Sequence, residues 1–251
     1  MPGGHHRGLL WSDPRVKPPY GSVEIDRSVL APDVACFLLN EGAGPFRSLI
    51  GPAAGTLTDA ASTWATTARG IGLDSVLTTS TTQGAILSPT VVLPTTFSCR
   101  IRFLYRANDN FGSIFAENGN RGAYIVGSPP KIRWYATGTG TTTLVAGRWY
   151  DWMTTLDALG NMVYYLDGVV DTSGLTGQGG HAVNTMFNDT ATETADIQLE
   201  TLQVWGRPLG PGEVSALAHE PYAFLRPIIR RRYFVPGGAA PPLRTLLGVG
   251  R

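Results

Sequence analysis

The chain has 251 residues, of which 43% are hydrophobic and 16% charged; 20 basic and 19 acidic side chains leave a formal charge of +1. So apolar a composition with so little net charge excludes a disordered polyelectrolyte and any whole-molecule attraction to nucleic acid. The 31 glycines and 18 prolines predict many turns and an all-β fold, and no apolar run approaches the ~20 residues that cross a bilayer.

Residues 1–32 are polar and proline-rich. Pro18 and Pro19 exclude a helix or a central strand, so the stretch reads as an extended arm anchored by Trp11. Met1 to Arg15 hold no apolar stretch of the kind a secretory leader needs, so no leader is expected.

From residue 33 to about 209 the pattern is strand after strand. Phe97, Cys99, Ile101, Phe103 and Tyr105 alternate with Ser98, Arg100, Arg102 and Leu104, a period of two with one apolar face. Further strands are expected at Val34–Asn40, Ala85–Ser88, Ser113–Glu117, Ala123–Gly127, Ile132–Thr137, Thr142–Val145, Tyr150–Leu156, Met162–Leu166 and Ile197–Trp205. Glycine, proline and asparagine clusters punctuate them. Asp167 followed by Gly168, between Tyr164–Leu166 and Val169–Val170, is the strongest hairpin signal. Short strands at this spacing predict a two-sheet sandwich or jelly roll, with Trp149, Trp152 and Trp205 filling the core between sheets ~10 Å apart. Cys36 and Cys99 read as small buried hydrophobes rather than a bridge, and with four histidines they form no zinc spacing.

One helix is expected, Glu213–His219, with Gly210 as N-cap, Pro211 at its first position and Pro221 as its stop. Residues 226–251 then carry six arginines and no acid, leaving the rest of the chain at a net −5. Ile228, Ile229, Tyr233 and Phe234 are too apolar for a solvated tail, which favours docking on an acidic protein surface over a free tail or a nucleic-acid contact.

Four segments carry a family resemblance. They are Leu38–Gly44 (LLNEGAG); Trp64 with Gly70 and Gly72; Gly147, Trp149, Asp157 and Tyr164–Gly168 (YYLDG); and Leu199–Leu209 (LETLQVWGRPL) followed by Glu213 and Pro221-Tyr222. Together they resemble the laminin-G-like, concanavalin-A-like jelly rolls. The resemblance covers about residues 33–225 and implies an all-β, two-sheet antiparallel sandwich between an N-terminal arm (1–32) and a basic tail (226–251). Within it Trp149, Asp167, Gly168, Trp205 and Arg207 are expected to be structural, with Arg207 bonding carbonyls beside the helix. The family's asparagine before that arginine is Gly206 here, so its side-chain contact is lost. The ends, Leu9–Trp11 with Lys17–Asp26 and Pro221–Pro236, are similar to laminin-G-like proteins encoded among bacteriophage structural genes.

That second resemblance implies a virion protein made in the host cytoplasm: a head decoration, head fibre or tail-associated component. Its arms would hold capsid or tail proteins, or further copies of itself, through Trp11, Arg226, Arg230, Arg231, Arg232, Tyr233 and Phe234. The alternative is a module that binds a cell-surface glycan during adsorption. Members of the fold that cleave glycans carry E-x-D-x-x-E on a strand; here Glu24 and Asp26 are followed by Val29, and Glu193, Asp196 and Glu200 have the wrong spacing. His181 and Tyr165 are the only nameable pair for a lyase. No enzyme, no membrane contact and no cofactor is therefore expected. Calcium is the one cation the family resemblance suggests, with Asp109, Asn110 and Asn118 as candidate ligands in adjacent loops, a reading that ordinary turns rival.

Overall fold

Alternating strands need a sheet with a dry face, and the chain builds two such sheets. The structure is a computed structural model that describes residues 17–19, 21–26, 30–58, 62–67, 70–75, 84–108, 111–117, 121–135, 137–187 and 195–227. In chain order the strands are β1 (Val23–Ile25), β2 (Ala35–Phe37), β3 (Phe46–Arg47), β4 (Ala54–Leu57), β5 (Ser62–Thr67), β6 (Gly70–Ser75), β7 (Ala85–Val92), β8 (Phe97–Asn108), β9 (Phe111–Glu117), β10 (Arg121–Val126), β11 (Lys131–Trp134), β12 (Arg148–Leu156), β13 (Asn161–Leu166), β14 (Val169–Thr176), β15 (Ala182–Met186) and β16 (Ala195–Trp205). Helix α1 (Pro211–His219) and β17 (Leu225–Pro227) follow.

The pairings are antiparallel. One sheet has seven strands in the order β11-β10-β9-β15-β7-β4-β3. The other has eight, β14-β13-β12-β8-β16-β6-β5, with β2 also pairing β16. This is an all-β, two-sheet jelly-roll sandwich with one short helix. Phe97, Cys99, Ile101, Phe103 and Tyr105 of β8 all face the core, and both cysteines are buried and unbridged. On β16 the parity changes: Ile197 and Leu199 face the core, then Leu202 and Val204. A bulge between Leu199 and Thr201 absorbs the extra residue, Glu200, and keeps both halves of the strand on the apolar face. The hairpin lies at Asp167 and Gly168, whose φ angles of 52° and 82° are the left-handed ones that a tight turn requires.

Several expectations change. The strand at Ala85 runs past Pro89 to Val92. Pro89 is tolerated because β4 pairs only as far as Ser88, and the register with β15 skips between its pairings with Ile86 and Val91. Thr142–Val145 is a loop, because the Thr141 and Thr142 amides donate to the Asp171 carboxylate at 2.9 Å instead of to a strand. The strand at Ile132 ends at Trp134, and Thr137 turns back to bond the Trp134 carbonyl. Of the three tryptophans, Trp152 alone fills the space between the sheets; Trp205 belongs to a second apolar cluster, and Trp149 is half-buried. Among the described residues Arg207 bonds no carbonyl beside the helix. It grips Glu213 of α1 through both terminal nitrogens, at 2.9 and 2.6 Å.

That second cluster explains why β8 is buried on both faces. Helix α1, residues 222–225 and β1 close over the outer face of the eight-stranded sheet, and Val23, Leu38, Met153, Tyr165, Trp205, Val214, Leu217 and Tyr222 pack there. Beneath them Arg100, fully buried, bonds Asp151, Gln203 and the Pro221 carbonyl. Arg102 reaches Glu200 at 3.3 Å, and Tyr222 donates to the same carboxylate at 2.6 Å. Part of the expected arm joins this cover: Lys17 donates to the carbonyls of Leu39 (2.8 Å), Glu200 (2.7 Å) and Ile71, and β1 pairs β17.

Candidate binding face on the seven-stranded sheet

With one outer face closed, the outer face of the seven-stranded sheet remains; it is exposed along β7, while Ser113, Ala116, Tyr124 and Thr185 on it are buried. Ile86 and Val92 of β7 are 41% and 60% exposed there. Strand alternation fixes which side chains stand on this face. Ala123 and Ile125 of β10 enter the core, so Tyr124 between them points outward. Ile132 and Trp134 of β11 enter the core, so Lys131, Arg133 and Tyr135 point outward along the sheet edge. Tyr124 pairs in register with both Ser113 and Arg133, and Val126 pairs with both Phe111 and Lys131, which puts these residues in two adjacent outward rows.

Three aromatic rings meet on these rows. Phe111 lies 4.7 Å from Tyr124 and 6.4 Å from Tyr135, centroid to centroid, and Tyr124 lies 5.9 Å from Tyr135. The Arg133 guanidinium stands 5.8 Å from the Tyr135 ring centre. Tyr124 is buried within the group, whereas Phe111 and Tyr135 are partly exposed. Ser113 Oγ and Arg133 Nε are shielded from solvent and have no hydrogen-bond partner. Beside the rings the next row across the sheet is small: Gly122 pairs with Ala116, and Ala116 with Thr185. Gly122 has no alternative, since at φ 140° a Cβ would lie 2.0 Å from the Phe115 carbonyl oxygen. The partly exposed rings of Phe111 and Tyr135, with the half-buried Arg133 guanidinium beside them, form an edge suited to a flat, hydroxyl-rich ligand.

The sequence pointed to other residues, and the structure distributes them widely. Asp109, Asn110 and Asn118, the candidate calcium ligands, lie outside the described residues. So do Trp11, Arg230, Arg231, Arg232, Tyr233 and Phe234. Arg226 is described, and pairs with Glu24 of β1 at 2.9 Å. Trp149 and Asp167 border a cavity of about 150 Å³ with Arg102, Tyr150, Asp151 and Ala218. Its charged groups are already engaged, Arg102 with Asp151 and Asp167 with Arg148. His181 and Tyr165 do not meet: Tyr165 lies in the cluster under α1, while His181 precedes β15 and receives Arg121 at its Nδ1, 3.1 Å away. Burial, then the positive Arg121, lowers the His181 pKa. Among the described residues no group of three or more His, Cys, Asp or Glu side chains is placed to hold a metal ion, and no helix is long and apolar enough to cross a membrane.

Phe111, Tyr124, Arg133 and Tyr135 were not singled out from sequence. The alternation of Lys131, Arg133 and Tyr135 with Ile132 and Trp134 was legible. What was missing was which of the two sheets has its outer face covered by α1 and residues 222–225.

No protein-family model and no curated protein matches the chain. Solved structures do match, at the level of fold. The binding domain of Paraclostridial Mosquitocidal Protein 1 aligns with a TM-score of 0.58 at 12% identity, covering 74% of this chain and 52% of that one. Domain 4 of AbnA, an extracellular arabinanase from Geobacillus stearothermophilus solved in complex with arabinotriose, aligns with a TM-score of 0.52 at 15% identity, covering 78% of this chain and 99% of the domain. Trypanosoma rangeli sialidase, in complex with sialic acid, aligns with a TM-score of 0.53 at 10% identity over 76% of this chain, which spans only 33% of the sialidase. At these identities the likeness is one of architecture: the chain shares a two-sheet β-sandwich fold with parts of these larger proteins.

Proposed function

We propose that this chain is a non-catalytic glycan-binding module that takes its sugar on the outer face of the seven-stranded sheet. The observation that carries this is the pair of partly exposed rings, Phe111 and Tyr135, packed 6.4 Å apart over the buried Tyr124 on the outward side of the sheet. The partly exposed rings of Phe111 and Tyr135 offer the apolar face of a pyranose or furanose a stacking surface, and Arg133 supplies a polar group for its hydroxyls. The shared architecture with a domain solved with arabinotriose supports the reading. A cell-surface glycan, met during adsorption to a host, is its finer form. The test is a glycan array followed by calorimetry. Saturable binding is expected, and Tyr135→Ala should weaken it by about 1–1.5 kcal/mol, roughly tenfold. Absence of saturable binding to any glycan would remove the reading.

A second reading, attachment to a phage head or tail, comes from the resemblance of the two ends, and the structure bears only on where those ends leave the sandwich. Val23 of β1 pairs with Pro227 of β17, so the two terminal segments run from adjacent strands. Trp11 and the Arg230–Phe234 stretch belong to those segments, where they would hold capsid or tail proteins or another copy of the chain. Because β17 extends to Pro227, the informative truncation removes residues 228–251 and spares the pairing. This reading expects the truncated protein to stay folded and to stop cosedimenting with particles; undiminished cosedimentation refutes it.

A further inference from the structure

Charge on the candidate face is one-sided. On β11, Lys131 and Arg133 both point outward, at i and i+2 on one strand, about 6.6 Å apart. The outward positions opposite them, Phe111 and Ser113 on β9 and Gly122, Tyr124 and Val126 on β10, contain no acid. Six other arginines, Arg100, Arg102, Arg106, Arg148, Arg207 and Arg226, each meet a carboxylate within 3.3 Å, while Lys17 is held by carbonyls and Arg121 meets His181. Neither Lys131 nor Arg133 has such a partner among the described residues, although Arg133 is half-buried and its Nε is shielded from water. A half-buried guanidinium with no carboxylate partner gains a charge-assisted bond when a ligand carboxylate meets its exposed side.

Resting on the glycan reading, we infer that the ligand is an acidic saccharide whose carboxylate is read by Arg133, with Lys131 as a second positive contact, while its ring stacks on Tyr135. A planar guanidinium presents parallel donors that match a carboxylate, which a neutral sugar does not use. The cation–ring pair Arg133–Tyr135 holds the fork beside the stacking surface, so one residue pair reads both charge and ring.

The experiment compares three probes on the full chain by calorimetry at low and moderate salt: an oligouronate, its methyl ester, and a neutral oligosaccharide. Methyl esterification removes the charge and keeps the ring. The expected result is at least tenfold tighter binding of the free acid than of its ester. That preference should be lost in Arg133→Gln, reduced several-fold in Lys131→Gln, and weakened by salt. Lys131→Gln serves as the variant least able to disturb folding, and thermal melting confirms the fold of both. Equal binding of acid and ester, or a neutral sugar preferred over both, overturns this inference and leaves the glycan reading standing. Failure of all three probes, together with silence on a broad array, overturns the glycan reading itself.

Discussion

Two ionisable residues show how single side chains hold loops onto the sandwich. Asp171 of β14 accepts from the Thr141 and Thr142 amides and from the hydroxyls of Thr141, Thr142 and Thr172. Burial pushes its carboxyl pKa up, but the bonds from Thr142 and Thr141 together hold it below the usual carboxylate range. A folded pKa below the unfolded one stabilises above the ordinary value, and that stability is lost as pH falls through the folded value. Asp171→Ala should therefore cost about 1–3 kcal/mol near neutrality, with the deficit relative to wild type closing in acid. Urea melts at pH 7 and pH 3 check this; a deficit independent of pH would mean that the charge plays no part. Lys17 also gives stability that rises with pH, but because burial disfavours its charged form. Burial lowers its pKa to about 7, against the pull of Glu200 and Glu41. Between that value and the ordinary 10.5 the unfolded chain holds a proton that the folded chain has released, so stability rises with pH in this window, by at most about 1.4 kcal/mol per pH unit. Wild type should accordingly gain on Lys17→Met as the pH goes from 7 to 9. A flat difference in urea midpoints would show that the ammonium stays charged, held by its three carbonyls.

At the scale of elements, β8 shows the limit of pattern reading. Its alternation promises one apolar and one polar face, and the apolar face is where the sequence puts it. The other face, with Ser98, Arg100 and Arg102, is buried as well, because α1 and residues 222–225 lie over it. A buried arginine survives there only because its donors are matched: Arg100 joins β8 to Asp151 on β12, Gln203 on β16 and the Pro221 carbonyl. Arg100→Met should cost about 3–5 kcal/mol by leaving Asp151 poorly paired, and Arg100→Lys should restore less than half of that, since an ammonium lacks the fork. Denaturant unfolding measures both; a loss under about 1 kcal/mol would make the network dispensable to stability. The helix was legible down to its cap because Gly210, Pro211 and Glu213 are local signals: Glu213 accepts from the Gly210 amide at 2.9 Å. The salt bridge from Arg207 to Glu213 was not legible, because the family pattern suggested carbonyl partners for Arg207, and only the path of the chain after β16 shows that α1 turns Glu213 toward it.

Across the whole molecule, the sequence by itself determined the class of fold, the long strands β8, β12, β13 and β16, the Asp167–Gly168 hairpin and the helix. Each of these is written in local period or turn chemistry, which neighbours along the chain suffice to enforce. The short strands β4, β6 and β15 lack a period of their own and exist because the longer β7, β9 and β16 offer them a ladder, onto which β3 and β5 add as edges. Tertiary structure alone decided the rest. It divided Trp152 from Trp205 between two cores, drew Lys17 and β1 onto the sandwich, and closed one outer face while leaving the other with Phe111, Tyr124, Arg133 and Tyr135. The physical reason is the same throughout: a strand's sequence records that its two faces differ, but whether a face meets water, a helix or a ligand depends on chain segments far away in sequence, such as Lys17 and Tyr222, that come to lie upon it.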